Sequence, residues 1–229
     1  MVYITGDTHG EIERFSKKYI PFEDKLTEKD TIIVTGDFQF IFRGDEKEEE
    51  NLDYLAGKRY EICFIDGNHE NFPRLFSYPT VDYRSGKAGE IRKNIHYLRR
   101  GEIYEIEGKR YFTFGGAFSL NSPYLTTGVD HFTEEVPVDA DYENADFNLK
   151  KANYSVDYII THQAPTSLLR ALGHEPHPAD ARLDDYLQWV KENAEFEKWY
   201  FGHWHDDRRL DEKSYLIWFS ITEAGKFPE

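Results

Sequence analysis

The 229-residue sequence has a single cysteine, Cys63, which excludes an internal disulfide. Cys63 lies in the apolar run Glu61-Ile62-Cys63-Phe64-Ile65, where it reads as a small buried hydrophobe. Positive charge is scarce as well. Against 43 Asp and Glu stand 28 Lys and Arg, a net charge of -15. A field of that sign repels a polyanion and argues against long nucleic acid as a partner. No apolar run approaches the ~18 residues that cross a bilayer. The opening Met1-Val2-Tyr3-Ile4-Thr5-Gly6-Asp7 has neither a basic nor a long apolar leader. A cytoplasmic protein without a membrane partner is therefore expected. Only 39% of residues are hydrophobic, but 17 Phe, 16 Tyr and 4 Trp supply a core, each ring burying about 150–250 Å². The length suits one domain over 1–229.

Short β-rich runs alternate with helical patterns, which places the chain in the α/β class. Strands are expected at Val2–Thr5, Thr31–Thr35, Glu61–Ile65, Asp157–Thr161, Lys198–Phe201 and Tyr215–Ser220. A helix is expected over Glu11–Tyr19, with Ile12, Phe15 and Tyr19 on its apolar face. Ile103–Ile106 and Arg110–Phe114 flank Glu107-Gly108-Lys109 and read as a hairpin, so the sheet is mixed or there are two sheets. Asp45–Glu50 is a charge run, a solvated loop or the start of a helix. The stretch 117–146 is loop-rich and acidic, an excursion that serves as a lid or simply as surface.

Polar groups of one kind follow the strands. Gly6-Asp7-Thr8-His9-Gly10 comes after the first, Gly36-Asp37 after the second and Gly67-Asn68-His69-Glu70 after the third. Thr161-His162 ends the fourth, and Gly202-His203-Trp204-His205 follows the fifth. Ligand sites in open α/β sheets lie beyond the carboxyl ends of strands, so five such ends can converge on one crevice. Residues i and i+2 leave an extended segment on one side, which lets Asp7 and His9, and likewise His203 and His205, aim together. Asp, His and Asn donors without Cys suit Mn, Fe or Zn, with Mn favoured. Asp7, His9, Asp37, Asn68, His162, His203 and His205 are too many for one ion and suit two, with a carboxylate between. Two such ions bring +4 against two carboxylates, leaving a positive site for a phosphate ester inside an acidic protein.

Asp7-x-His9, Gly36-Asp37, Gly67-Asn68-His69-Glu70, His162 and Gly202-His203-x-His205, in this order, resemble the calcineurin-like metallophosphoesterase superfamily. The resemblance implies a fold of two packed mixed sheets flanked by helices, in four layers α/β/β/α. It implies one metal at Asp7, His9, Asp37 and His205, and a second at Asp37, Asn68, His162 and His203, with Asp37 bridging. A hydroxide between the metals would attack phosphorus in line. His69, which completes neither shell, is the candidate general acid. Two departures narrow the reading. Phe40 stands where many relatives place an Asp that orients this histidine, and the arginines by which Ser/Thr protein phosphatases clamp phosphate are missing beside Asp37 and before Gly67. The pattern is closer to small bacterial stand-alone enzymes. The expected substrate is a small phosphate ester or nucleotide; a nucleotide or cyclic-nucleotide phosphodiesterase is the alternative within the class. A non-catalytic metal-binding scaffold is the alternative outside it.

Arg43 and Arg100 are the candidate substrate-binding residues, with Arg74 and Arg99 also considered, because a guanidinium holds phosphate in a bidentate way. Asp66 or Glu70 is expected to orient His69 in place of the missing carboxylate. His131, His174 and His177 read as surface residues.

Overall fold

The computed structural model describes residues 1–228. Among the described residues thirteen strands divide between two sheets. In chain order they are β1 Val2–Thr5, β2 Thr31–Val34, β3 Glu61–Phe64, β4 Thr80–Tyr83, β5 Gly86–Arg92, β6 Ile95–Leu98, β7 Ile103–Ile106, β8 Lys109–Phe114, β9 Tyr158–Thr161, β10 Lys198–Phe201, β11 Arg208–Arg209, β12 Ser214–Leu216 and β13 Ile221–Glu223. The first sheet runs β13-β1-β2-β3-β6-β5-β4 and the second β11-β12-β10-β9-β8-β7. Both are mixed. β1, β2, β3 and β6 are parallel in one, and β8, β9, β10 and β12 in the other. The hairpin β7–β8 has the expected antiparallel register, Ile103 facing Phe112. The α-helices are α1 Glu46–Ala56, α2 Phe72–Leu75, α3 Asp139–Lys151, α4 Thr166–Leu172 and α5 Ala181–Asn193.

Strand alternation sorts the apolar residues into layers. Ile33 and Cys63 point into the core between the sheets, where they join Tyr111, Tyr158, Ile160 and Tyr200. Their neighbours Ile32, Val34, Ile62 and Phe64 point the other way, against Leu52 and Leu55 of α1. On the far side Ile159, Trp199 and Phe201 meet Leu149 of α3, Leu168 of α4 and Leu187 of α5. The result is the four-layer α/β/β/α arrangement. Among the described residues no helix is long and apolar enough to cross a membrane.

Two expectations need correction. The helix over Glu11–Tyr19 is a single 3-10 turn, Ile12–Phe15, that ends in extended backbone at Ser16. Arg14 explains why. Its guanidinium turns inward to the carbonyls of Asp7 (2.8 Å) and Trp218 (2.5 Å) and to Thr5 Oγ1 (3.3 Å), so the segment follows these bonds rather than an apolar stripe. Of the strand expected over Tyr215–Ser220 only Tyr215 and Leu216 are extended in β12; the rest is a crossover to β13, which starts at Ile221 in the other sheet. Between them the Asp207 carboxylate accepts from the backbone N–H groups of Trp218 (2.9 Å), Phe219 (3.0 Å) and Ser220 (3.1 Å). A side chain thus replaces the ladder while the chain crosses over. The acidic run at 45–50 opens α1, with Asp45 capping the N–H of Glu48 at 2.9 Å.

Candidate metal centre

Parallel pairing puts the carboxyl ends of β1, β2 and β3 at one edge of their sheet, and those of β8, β9 and β10 at one edge of the other. These edges meet. Asp7 leaves β1, Asp37 leaves β2 and Asn68 leaves β3; His162 leaves β9, and His203 and His205 leave β10. The glycines before the donors allow the approach. A Cβ on Gly67 would overlap the Asp37 carboxylate, and one on Gly202 would overlap that of Asp7. The turns themselves are strained, since His9, Asp37, His203 and His205 all have left-handed backbone, with φ of 46°, 48°, 71° and 47°. Such conformations cost about 1–3 kcal/mol each and collect at functional sites.

Asp7, His9, Asp37 and His205 each offer one donor atom, and these atoms all lie within 4.8 Å of one another. His9 Nε2 lies 2.9 Å from His205 Nε2, which lies 3.3 Å from Asp7 Oδ2. Asp37 Oδ2 is 3.8 Å from His9 Nε2. A second group forms around the other Asp37 oxygen. His162 Nε2 is 3.5 Å from Asp37 Oδ1 and 3.1 Å from Asn68 Oδ1. The His203 ring centre is 5.0 Å from that of His162, and its backbone N–H donates to Asp7 at 3.1 Å.

The hydrogen-bond pattern shows what these groups await. His162 Nδ1 donates to the Thr35 carbonyl at 2.8 Å, so in the neutral ring it is Nε2 that carries the lone pair. That lone pair faces two oxygens that are themselves acceptors. Acceptors converge in this way around a cation, and a carbonyl partner on the far nitrogen is the usual support of a ligating histidine. The donor set therefore fits divalent metal. Burial works to raise the Asp37 carboxyl, yet His162, His69 and His9 hold it at about 2. Burial would lower His162, but the Asp37 and Asp7 carboxylates push it up. Burial and the nearby His162 push His203 down to about 3, which leaves its ring neutral, as a metal ligand must be.

The surroundings assign the remaining candidates. His69 is half-buried at the rim of a hollow of about 220 Å³, whose other walls include Asp37, Asn68, His203 and Trp204. Its backbone N–H donates to Asp37 Oδ1 at 2.8 Å, but neither expected carboxylate orients its ring. Glu70 is buried and accepts from the N–H groups of Phe38 (2.7 Å) and Gln39 (3.2 Å), bracing the Asp37 loop. Asp66 is bound to Arg100 and to the Tyr97 hydroxyl (2.8 Å). Phe40 packs in the core against Phe15 and Phe38.

Arg100 is the clearest correction among the substrate candidates. It is buried, with Nε (2.9 Å) and Nη2 (2.6 Å) on Asp66 Oδ2 and Nη1 on Asp141 (3.2 Å). Most of its donors are spent inside the protein, which leaves little with which to grip a substrate. Arg74 pairs with Glu48, and Arg99 donates to Thr80. Arg99 and Arg100 line a hollow of about 400 Å³ with Thr80 and Asn144 that includes none of the donor residues, whereas Arg43 faces a pocket of about 300 Å³ that also reaches His9 and Lys47. His174 stacks on Trp204 with centroids 4.0 Å apart, and His177 stacks on Phe118. With His203, His174, His177 and Trp204 line a second hollow of about 200 Å³.

Sequence reasoning missed Arg14, Ser119 and Glu135. Arg14 holds the carbonyl of a donor residue, Asp7. Ser119 and Glu135 lie in the aperiodic stretch, where only the three-dimensional contact to Asn68 reveals them.

The family profile described as Calcineurin-like phosphoesterase matches residues 1–207. No curated protein matches. Among solved structures, phosphopantetheinyl hydrolase (PptH) from Mycobacterium tuberculosis is 14% identical, with a TM-score of 0.48, over 95% of this chain and 89% of that one.

Proposed function

Because the chain belongs to the calcineurin-like phosphoesterase family and is a metal-dependent phosphoesterase, we propose that it hydrolyses small phosphate esters at a two-ion centre. Asp7, His9, Asp37 and His205 would hold one ion, and Asp37, Asn68, His162 and His203 the other. One observation carries this reading: the two oxygens of Asp37 face different donor groups, Oδ2 toward His9 and Oδ1 toward His162. Two divalent ions, when bound, would polarise phosphoryl oxygens and lower the pKa of water, with Mn, Fe and Zn as the candidates.

The chain's own residues supply the rest. His69, at the rim of the hollow, donates its proton to the leaving oxygen. Its ring is held by packing near His9, with centroids 5.6 Å apart, rather than by a carboxylate, so its contribution sits at the low end for a general acid. Arg43, across the pocket from His9, binds an anionic part of the substrate. The reading is tested by loading the protein with Mn and assaying phosphomonoesters, nitrophenyl phosphodiesters, cyclic nucleotides and dinucleoside polyphosphates. Turnover that depends on Mn supports it. A metal-loaded protein inert toward all of them would mark a non-catalytic scaffold.

A further inference from the structure

The stretch after β8 reaches the second donor group through two side chains that no motif announces. Asn68 Nδ2 donates to Ser119 Oγ at 3.1 Å. Ser119 gives both of its protons to Glu135, the backbone N–H to Oε1 and the hydroxyl to Oε2, each at 2.7 Å. Glu135 is fully buried, with His131 Nε2 3.2 Å from Oε1. A hydroxyl whose one proton is spent on a carboxylate can only accept from a third partner. Ser119 Oγ therefore takes an N–H from Asn68, and the oxygen end of that amide is left facing His162 Nε2.

The two ends of a carboxamide have the same shape, so its partners decide which end faces where. Without Ser119 the choice would tip the wrong way. Thr35 already takes the Nδ1 proton of His162, so an inverted Asn68 could donate N–H to the lone pair on Nε2 and occupy the place of the ion. We infer that Ser119 and Glu135 are positioning residues that lock the Asn68 oxygen toward the second ion, an inference that rests on the two-ion reading. Arg100 fastens the lock. Its Nη2 donates to the carbonyls of Glu134 (2.9 Å) and Glu135 (3.1 Å) while also holding Asp66, just before Gly67 and Asn68.

The test is a calorimetric titration of the metal-free protein with Mn²⁺, the two binding steps being assigned by which one survives in H205A. Ser119→Ala and Glu135→Gln should each weaken the second step by about 10–100-fold, as outer-shell changes do, and leave the first unchanged. In an Asn68→Asp background the same changes should cost little, because a carboxylate has two like oxygens and nothing to invert. Glu135→Gln keeps the side-chain volume, so it probes the link even if Ser119→Ala folds poorly; circular dichroism of each metal-free variant checks the fold. Equal losses in the wild-type and Asn68→Asp backgrounds would mean mere structural support and overturn the inference. So would two undiminished steps in Ser119→Ala, with the two-ion reading left standing. A wild type that binds only one ion would defeat both.

Discussion

The two donor groups that share Asp37 are held in different ways. The first is open: His9 is 26% exposed and His205 44%, and both sit on left-handed turns. His205 is steadied by stacking on Trp218, with centroids 4.8 Å apart, and by Asp7 Oδ2, 3.3 Å from its Nε2. The second is enclosed. His162 is wholly buried and Asn68 nearly so, and each is fixed by a dedicated hydrogen bond, to Thr35 and Ser119 respectively. Backbone strain falls on both halves, at His9 and His205 in one and at His203 in the other. What sets the enclosed half apart is that His162 and Asn68 also depend on partners far away in the chain. A change at a ligand should cost metal on either side, but only the enclosed side should also cost fold.

The largest effect is expected where the halves join. Asp37→Asn should remove both ions and lower turnover beyond the ~100-fold upper end of an outer-shell change, whereas Asp7→Asn should spare the second ion. Metal analysis and kinetics on both variants check this; near-normal turnover in Asp37→Asn would erase the shared carboxylate. The next contrast is stability. His162→Ala leaves a cavity and an unpaired Thr35 carbonyl, a cost of about 2–4 kcal/mol, while His205→Ala at the surface should stay within about 0.5 kcal/mol. Urea unfolding of the metal-free proteins measures the difference. Similar losses would show that the halves are not held differently.

His69 belongs to neither half. His69→Ala should keep both ions and slow an alkyl phosphate by about 100-fold, with a much smaller loss on a nitrophenyl ester whose leaving group needs no proton. Equal losses on the two esters would point to binding rather than proton delivery.

The last prediction is a control outside the centre. Asp184 in α5 is buried with both oxygens unpartnered, and burial, with Asp180 and Asp185 adding, pushes its carboxyl up to about 8. Its folded value lies above the ordinary one, so the folded chain binds the extra proton between roughly pH 4 and 8 and loses stability as the pH rises through that window. Asp184→Asn should flatten the fall in melting temperature from pH 6 to pH 8 without altering metal content. An unchanged slope would place the titration elsewhere.

What could be read from the sequence is what is local. Asp7, His9, Asp37, Asn68 and His203 stand beside glycines at strand ends, with His205 two residues past His203, and the local spacing suggests that they converge. The strands were legible because alternation and β-branching are local. Arg14 was not, because a guanidinium that binds Asp7 and Trp218 breaks a helical stripe only once the sheet edges have met. Arg100 reads from the sequence as a candidate phosphate clamp; Asp66 and the Glu134 and Glu135 carbonyls, which close around it, are distant in the chain. Ser119 and Glu135 carry no periodicity at all. Their meaning lies in which end of an amide they select, and a sequence does not display that.

The central claim is that the two groups hold one ion each around Asp37. Elemental analysis of protein reconstituted with excess Mn²⁺ and then freed of unbound metal tests it most directly. The account predicts about two ions per chain in the wild type and about one in His205→Ala. A wild type that never exceeds one ion, whatever the metal offered, would contradict it.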